Sequence, residues 1–488
     1  MRINPATDQM KRFRLPSLGD MFLWMAALIG LMGFLFFIFK DGPSVKKATT
    51  VLILCAAVIA AVVFLRNALL GIYALVAFLP LLAASFLSTR IINIPGIKLE
   101  ILIPFGALFC LLINKVPSDL GAREKKIIMA LTVIYLFSMF RAIGFALPFL
   151  STEEPVTAGQ FFRSYILKDY VYFFPFIFIC AYLREDKDIH SLLQSLNIGV
   201  LLLGGYLLIL YITTLRFYGD FETIRDYYLL FYPAHTNEIA NFFLLAVPLL
   251  MGYAFYKKKL VYFGVLGIAL VSILMLYSRT VYMLTAVAVV VFLVMEKKGL
   301  LLLGGVGIVG ASFPFWPDNV VTRVTSLFQS SNANQLTAGR TDEIWQPLIQ
   351  EMLGYDPLTL LFGFGRYGIF QTKAFNQGSM LAVSHAHNAY LNTILDAGIV
   401  GMIFFVAVIL YYLYQFYKAS KKTENSFRKL MLRCICISIV LYMARGMSGG
   451  FFLPCLTNMY LWAILAFGVV CLKAEQKSQV QQMRAPIQ

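Results

Sequence analysis

Runs of apolar residues, each about 17–25 residues long, recur between Met21 and Val470 and are separated by short polar breaks. A helix of this length crosses the hydrocarbon core of a bilayer and satisfies its own backbone hydrogen bonds there. The composition agrees, because 60% of the 488 residues are hydrophobic and only 14% are charged. We therefore expect an all-α fold, a polytopic membrane bundle of about fourteen transmembrane helices.

The apolar runs also divide the chain into parts. The predicted spans lie near 21–39, 48–65, 68–86, 98–114, 126–150, 165–183, 190–213, 236–255, 260–276, 280–296, 299–315, 388–416, 428–446 and 450–472. The predicted parts are an N-terminal segment (1–20), a bundle of about eleven spans (21–315), a long loop (316–387), a bundle of about three spans (388–472) and a tail (473–488).

The net charge of +16 raises the question of a nucleic-acid partner. The positions of the 41 Lys and Arg residues favour the membrane instead, because most of them lie on alternate loops. By the positive-inside rule these loops and both termini are cytoplasmic. We expect a multi-pass membrane protein, with the bilayer and no nucleic acid as a partner.

The long loop, 316–387, is then extracytoplasmic, and its length is typical of a functional loop. Its stretch "TDEIWQPLIQEMLG" predicts an amphipathic helix on the outer face, kinked at Pro347 and closed by Gly354. The apolar residues at helical spacing are Ile344, Trp345, Leu348, Ile349 and Met352.

Gly363, Gly365 and Gly368 in "GFGRYGIF" match G-x-G-x-x-G, the dinucleotide fingerprint. That fingerprint requires a strand, a helix and a downstream acidic residue in a βαβ unit, which a membrane loop does not provide. A tight glycine turn beside a ligand is the better interpretation, with Arg366 as a possible phosphate contact.

Asp186 and Asp188 form a D-x-D pattern, which metal-dependent sugar transferases use. Here the pattern lies in a charged turn on the predicted cytoplasmic side, where a solvated surface is the better interpretation. The sequence gives no other indication of a metal or of another cofactor.

Three arginines are candidates for a functional site. Arg279 lies in a very tight outer turn, and Arg340 lies just before the loop helix. Both positions suit a phosphate or pyrophosphate, although a simple interfacial anchor is the alternative. Arg141 lies inside a predicted span. A charged residue there is either functional or extends its long side chain so that the guanidinium lies at the membrane interface.

The stretch "SHAHNAYLNTILDAGIVG" combines two histidines with a polar stripe. Ser384 is a good N-cap, so we expect a helix to begin there. His385 and His387 would then lie about 200° apart and could not both serve one site unless the turn is irregular. The stripe contains Asn388, Asn392 and Asp396 at i, i+4 and i+8. A zinc pair is the weaker alternative, because the nearest further histidine is the distant His235.

These motifs resemble those of the O-antigen ligase and polymerase superfamily, integral-membrane enzymes that move lipid-linked glycans. The resemblance rests on "SHAHNAYLNTILDAGIVG" together with "SRT" at 278–280, "GRTDEIW" at 339–345, "LLFGFGRYGIF" after it and "HTNEIANFFLLAVPLL" at 235–250. It covers most of the region from about 160 to 415, and the motifs occur in the family's order.

The resemblance implies metal-independent, inverting glycosyl transfer at the outer leaflet from an undecaprenyl-pyrophosphate-linked donor. It gives His387 the role of the catalytic histidine and makes Arg279 and Arg340 the donor-binding arginines. With the charged and polar positions described above, the possible supporting residues are His385, Asn388, Arg366, Asp396, Arg141 and His235.

Three functions remain open at this point. A polymerase joins one lipid-linked repeat unit to another and is favoured by the long loop; a teichuronic-acid-type polymerase is one variant. A ligase transfers the glycan to a different acceptor. A lipid-linked oligosaccharide flippase is the alternative of another class, although the sequence lacks the two similar halves expected of it. A chain-length regulator or flippase of the same pathway is a possible protein partner.

Overall fold

The apolar runs form helices that pack side by side. The computed structural model describes residues 67–82, 99–150, 157–213, 220–231, 236–329, 332, 334, 337, 339–456 and 458–484. These residues form helices, turns and irregular segments, and no β-strand occurs among them. They belong almost entirely to one compact unit, Gly71–Gln488, and residues 67–70 belong to the unit Met1–Leu70.

The helices before the long loop are α1 (Ala68–Phe78), α2 (Leu99–Ile113), α3 (Ala122–Leu150), α4 (Ala158–Phe161), α5 (Lys168–Val171), α6 (Phe174–Tyr182), α7 (Asp186–Thr213), α8 (Phe221–Phe231), α9 (Thr236–Lys257), α10 (Leu260–Met275), α11 (Arg279–Met295) and α12 (Gly299–Ser312). The π-helical turn Phe162–Leu167 joins α4 to α5. The loop and the C-terminal part contain α13 (Asp318–Gln329), α14 (Gln346–Met352), α15 (Pro357–Phe362), α16 (Lys373–Asn376), α17 (Ala389–Lys422), α18 (Ser426–Gly446) and α19 (Met459–Arg484).

Six stretches of helix are long and apolar enough to cross a membrane, namely Ala122–Gly144, Gly159–Tyr182, Asp186–Thr213, Thr236–Lys257, Ala389–Lys422 and Met459–Val480. Five shorter apolar helices accompany them. Every predicted span from residue 68 onward coincides with one of these helices or with α18, which confirms a helical membrane bundle. The predicted spans 21–39 and 48–65 lie outside the described residues, so the total of about fourteen stays a prediction.

The last span begins later than predicted, at Met459 rather than near residue 450. The reason is a polar turn: the Asn458 amide donates hydrogen bonds to the carbonyl oxygens of Phe451 (3.0 Å) and Leu453 (2.6 Å). These bonds hold the residues before Asn458 in a non-helical path.

Helix α9 lies at the centre of the bundle and packs against α10, α11 and α18. Helix α18 in turn packs against α11, α17 and α19. Since α17 and α18 are joined by a short turn, they run antiparallel, and the start of α17 lies beside the end of α18. The same end of the bundle contains the first residues of α9 and α11, and it is there that the functional candidates meet.

The long loop folds into a compact structure of its own. The predicted amphipathic helix is present as a π-helical turn, Thr341–Trp345, followed directly by α14. Its buried residues are Ile344, Leu348 and Met352, whereas Ile349 is 47% exposed. The three buried residues belong to a hydrophobic cluster that we call the loop core. Its members are Ile344, Leu348, Met352, Ile369, Phe370, Ala374, Met380, Ala386 and Leu395.

Pro347 does not lie in the middle of an α-helix, where it would produce a kink. The wider π-helical turn ends at Trp345, which puts Pro347 in the first turn of α14. A backbone N–H has no intrahelical partner in a first turn, so the missing donor of proline costs nothing there.

The glycine-rich turn packs against two helices, and its predicted place beside a ligand stays a prediction. A Cβ atom on Gly363 would lie 2.6 Å from the backbone nitrogen of Gly398, and one on Gly365 would lie 2.8 Å from that of Ala142. Gly398 has φ +71°, which interrupts the helical path of α17. The interruption is bridged from outside, since Phe364 N–H donates to the carbonyl oxygen of Leu395 at 2.7 Å.

Candidate functional site

The start of α17 differs from the sequence prediction. Ser384 does not cap a helix; its hydroxyl lies 3.3 Å from Nδ1 of His385 in an irregular segment. The N-cap is Asn388, whose side-chain oxygen accepts hydrogen bonds from the backbone N–H groups of Tyr390 and Leu391 at 3.0 and 3.1 Å. The two histidines therefore precede α17 instead of belonging to it.

The irregular segment brings the two histidines together. His387 has φ +49°, a left-handed conformation that is uncommon outside glycine. The ring centroids of His385 and His387 are 4.0 Å apart, and the His385 ring lies 5.5 Å from that of Phe451. The prediction that these side chains face different ways was wrong, because it assumed a helix at both positions.

Hydrogen bonds from the loop core and from α17 hold this segment in place. The indole N–H of Trp345 donates to the carbonyl oxygen of Ala386 at 2.8 Å. The backbone N–H of Ala386 donates to the side-chain oxygen of Asn392 at 2.7 Å. The Asn392 amide also donates to the carbonyl oxygen of Gly450 at 3.4 Å. Both backbone polar groups of Ala386 are thus bound by side chains, those of Trp345 and Asn392, which keeps the two histidines out of the helical path of α17.

The turn that follows α18 is a junction for distant parts of the chain. Arg340 donates a hydrogen bond to the carbonyl oxygen of Ser448 at 3.0 Å. Arg445 donates to the Ser448 hydroxyl at 3.1 Å, and that hydroxyl donates to the hydroxyl of Thr280 at 3.3 Å. The Asn388 amide donates to the carbonyl oxygen of the preceding residue, Met447, at 3.3 Å. The predicted segments around 279, 340 and 388 therefore converge on one turn.

Positive charge is concentrated around this turn. Burial, together with repulsion from Arg445, Arg225 and Arg279, lowers the pKa of Arg340 to about 10. Burial and repulsion from Arg279 and Arg225 likewise lower the pKa of Arg323 to about 10. With a pKa of about 10, Arg340 and Arg323 both remain protonated at neutral pH. We call Arg225, Arg279, Arg323, Arg340 and Arg445 the arginine cluster.

Acidic residues accompany the arginine cluster. Arg225 pairs with Glu222 at 2.8 Å, and Glu238, in the first turn of α9, attracts Arg340 and Arg445. The Glu238 carboxylate also accepts a hydrogen bond from the Asn241 amide at 2.9 Å. Five arginines gathered around one turn suit an anionic ligand.

Arg445 is the most enclosed member of the cluster. The residue is only 2% exposed, and its Nε is buried without a hydrogen-bond partner. Gly449 leaves room for the guanidinium, because a Cβ atom there would lie 2.4 Å from one terminal nitrogen. A buried charge with an unused donor is costly unless a ligand completes its contacts.

The cluster also affects the histidines. Burial lowers the pKa of His385 to about 4, and repulsion from Arg340, Arg366 and Arg445 contributes to this shift. His385 is therefore neutral at physiological pH. A neutral imidazole can accept a proton or a hydrogen bond, which a protonated one cannot.

Arg366 is engaged with Asp396 rather than open to a phosphate. The two side chains are 5% and 6% exposed, and a guanidinium nitrogen lies 2.8 Å from a carboxylate oxygen. Asp396 also accepts a hydrogen bond from the backbone N–H of Gly368 at 3.0 Å. Burial acts to lower the pKa of Arg366, but the attraction of Asp396 raises it above the usual range. This ion pair ties the glycine-rich turn to α17, and the phosphate contact predicted at Arg366 stays a prediction.

The other candidates are placed as follows. The side chain of Arg141 is exposed, and the backbone of α3 beside it packs against Gly365. His235 lies outside the described residues. Asp186 forms a twofold ion pair with Arg428 at 2.6 and 2.8 Å, and Asp188 accepts a hydrogen bond from the Tyr73 hydroxyl at 2.8 Å. The interpretation of this D-x-D as a solvated turn was wrong, since both carboxylates hold helices together.

The sequence analysis missed Arg445, Glu238, Arg225 and Arg323. For Arg445 and Glu238 a signal existed, because each is a charge within a predicted span, 428–446 or 236–255. Arg225 and Arg323 belong to the short helices α8 and α13, and nothing in their spacing marks them out. In the described part of the chain, no group of three or more His, Cys, Asp or Glu residues is arranged to hold a metal ion.

The fold and this cluster define a class: a multi-pass helical membrane protein with histidines and arginines gathered at one end of its bundle. The family model described as O-antigen ligase matches residues 263–406, a segment that contains Arg279, Arg340, His385 and His387. This match supports the resemblance to the O-antigen ligase and polymerase superfamily that the sequence motifs indicate. It supports glycan transfer of the O-antigen ligase type in general. No curated protein matches the chain.

Proposed function

We propose that the protein polymerises undecaprenyl-pyrophosphate-linked oligosaccharide repeat units at the outer leaflet of the bacterial inner membrane. The observation that supports this function is the convergence of Arg340, Arg445 and Thr280, the neighbour of Arg279, on Ser448 beside two histidines. Such a site joins an anion clamp to a proton acceptor at one end of a membrane bundle.

In the proposed reaction, a hydroxyl group of the acceptor sugar attacks the anomeric carbon of the donor glycan. His387 removes the hydroxyl proton as the new carbon–oxygen bond forms, an effect worth about 10²–10⁴ in rate. The bond from the anomeric carbon to the pyrophosphate oxygen breaks on the opposite face, so the configuration inverts. His385, which is neutral and lies beside His387, orients either the acceptor sugar or the imidazole ring of His387.

The leaving lipid pyrophosphate takes the electron pair of the broken bond and gathers negative charge. Arg279 and Arg340 bind this group, and Arg445 completes the clamp with its unused donor. Fixed positive groups at the place where charge develops stabilise the transition state without reorganisation. This arrangement provides the charge compensation that a divalent ion gives in other glycosyltransferases, so we propose a metal-independent reaction.

The proposal includes a topology. Both termini face the cytoplasm, and the long loop faces the outside, where the lipid-linked donor is available after its translocation. The donor and the acceptor are both lipid-linked glycans in this scheme. A ligase reaction, with a different acceptor, would use the same clamp and base, and a flippase would need neither a base nor bond cleavage.

The test is an assay with purified protein in detergent and lipid-linked repeat units as the only substrate. Polymerisation predicts glycans of increasing length together with released undecaprenyl pyrophosphate, in the presence of EDTA. A reaction that begins only after a second acceptor, such as a lipid A core, is added would indicate a ligase. Unchanged glycan length with movement of the lipid across a vesicle membrane would indicate a flippase.

A further inference from the structure

A large groove lies between α11, α17 and α18, at the other end of these helices from the arginine cluster. Its volume is about 780 Å³, which is within the range of ligand-binding cavities. Most of the lining is apolar and faces the lipid side of the bundle, where Val287 and Val440 are 47% and 51% exposed. An apolar groove of this size suits a hydrocarbon chain.

The two ends of the groove differ in chemistry. Val287 and Leu441 lie toward the middle of the bundle, whereas Ser420, Lys421 and Arg433 lie at the far end. Arg433 is about 18 Å from Arg445 along α18, at 1.5 Å per residue. The groove therefore begins in the hydrocarbon region and ends at basic residues on the opposite membrane face from the arginine cluster.

The basic end has an unused positive charge. Lys421 is exposed and its ammonium lies 5.2 Å from the ring centroid of Tyr417, and no carboxylate pairs with it among the described residues. Arg433 pairs through one nitrogen with Glu296 at 3.2 Å. Tyr414 and Tyr417, 58% and 54% exposed, line the same end of the groove. Aromatic and basic side chains together are typical of the headgroup level of a membrane.

We infer that this groove binds an anionic phospholipid. One acyl chain lies along the apolar part between α11, α17 and α18, and the phosphate lies between Lys421 and Arg433. Basic pockets between transmembrane helices attract anionic headgroups through charge, and the apolar lining adds the affinity of the chain. The bound lipid would brace α11, α17 and α18, the helices whose opposite ends contribute Arg279, Asn388 and Arg445 to the functional site.

The experiment uses the full-length protein, purified in detergent and incubated with phosphatidylglycerol or, separately, with phosphatidylcholine. Native mass spectrometry counts bound lipids, and the unfolding temperature is measured on the same samples. Three variants are compared with the unaltered protein: Lys421→Gln at the headgroup end, Val440→Trp to fill the acyl groove, and Lys259→Gln as a matched control. Lys259 is an exposed lysine at the same end of the bundle, and it does not line the groove.

We expect phosphatidylglycerol to bind and to raise the unfolding temperature, and Lys421→Gln to weaken that binding by about fivefold. Val440→Trp should reduce binding of the same lipid, and Lys259→Gln should leave it unchanged. Equal binding of phosphatidylcholine, or an unchanged affinity in Lys421→Gln, would overturn the inference. A photo-crosslinker at position 440 that attaches to the protein's own chain instead of to lipid would also overturn it.

Discussion

The guanidinium of Arg340 donates a hydrogen bond to the carbonyl oxygen of Ser448, a residue 108 positions further along the chain. This contact joins the long loop to the turn after α18, where Arg445 and Thr280 are bonded to the same serine. Asn388, which follows the two histidines, bonds to the same turn at Met447. The candidate site is therefore assembled from four separate parts of the chain, and each part can be tested by itself.

The two arginines that we propose to bind the donor should not tolerate lysine. Arg340→Lys keeps the charge but loses the forked donors, so the Ser448 contact and a pyrophosphate contact cannot form together. We expect activity to fall by about 10–100-fold, the value of one or two charge-assisted hydrogen bonds, with normal protein levels in the membrane. Arg279→Lys should behave alike. Arg184→Lys, at an exposed ion pair with Asp119, is the control and should remain active. Full activity of both cluster variants would reduce these arginines to anchors.

His387 should be indispensable and His385 should be less so. His387→Asn is the suitable variant, because asparagine tolerates the left-handed conformation at this position and cannot act as a base. We expect it to abolish glycan elongation while the protein stays folded and inserted. His385→Asn should lower the rate only in part, although the rings are 4.0 Å apart. If His387→Asn retains activity and His385→Asn does not, the two roles must be exchanged.

Stability should depend on the protonation of His385 in acid. Burial and three arginines lower its pKa to about 4, below its ordinary value of 6.5. Between these values the unfolded chain binds more protons, so the stability present above about pH 6.5 is lost as the pH falls toward 4. In the variant His385→Gln, the loss of unfolding free energy on acidification should be smaller by about 2–3 kcal/mol. The measurement is the unfolding midpoint of the variant and of the unaltered protein from pH 7 to pH 4.5. A parallel decrease in both proteins would contradict the expectation.

The buried ion pair should be needed for folding rather than for chemistry. Asp396→Asn leaves the Arg366 charge buried without its partner, which should cost about 3–5 kcal/mol. The double variant Arg366→Met with Asp396→Leu removes both charges and should recover much of this loss. Denaturant unfolding of the two variants gives the comparison. A phosphate-binding role for Arg366 predicts the reverse: a stable Asp396→Asn protein with altered donor affinity.

The proposed topology can be tested by cysteine labelling. All seven native cysteines lie in predicted spans, so single cysteines are introduced into a cysteine-free background. Ser379→Cys, exposed in the long loop, should react with a membrane-impermeant reagent in intact cells. Glu424→Cys, exposed in the turn between α17 and α18, should react only after the membrane is opened. The opposite pattern would invert the proposed orientation and move the site to the cytoplasmic face.

The helical bundle could be predicted because each span of apolar residues satisfies its backbone by itself. The histidine segment could not, since its shape depends on partners that are remote in sequence. Ser384 and Asn388 are both good caps, and the choice between them is made by Trp345 and Asn392, which bind the backbone of Ala386. The helix-capping propensity of a single residue does not include hydrogen bonds from residues that are remote in sequence.

The arginines show a similar limit. Arg279 and Arg340 could be predicted from their motifs, and Arg445 from its place in an apolar span. The partners of Arg366 could not be predicted, because its pairing with Asp396 requires the glycine-rich turn to pass against α17. A charged residue in a loop looks the same in sequence whether it meets a ligand or a carboxylate.

The interrupted helix α17 has a consequence for protein engineering. Gly363 and Gly398 approach so closely that a Cβ atom on either one would collide with the backbone of the other segment. The long loop is therefore not an exchangeable module. A chimaera that takes this loop from a relative with another specificity should also take α17 as far as Gly401. Both sides of the close contact between the loop and α17 then come from the same parent protein.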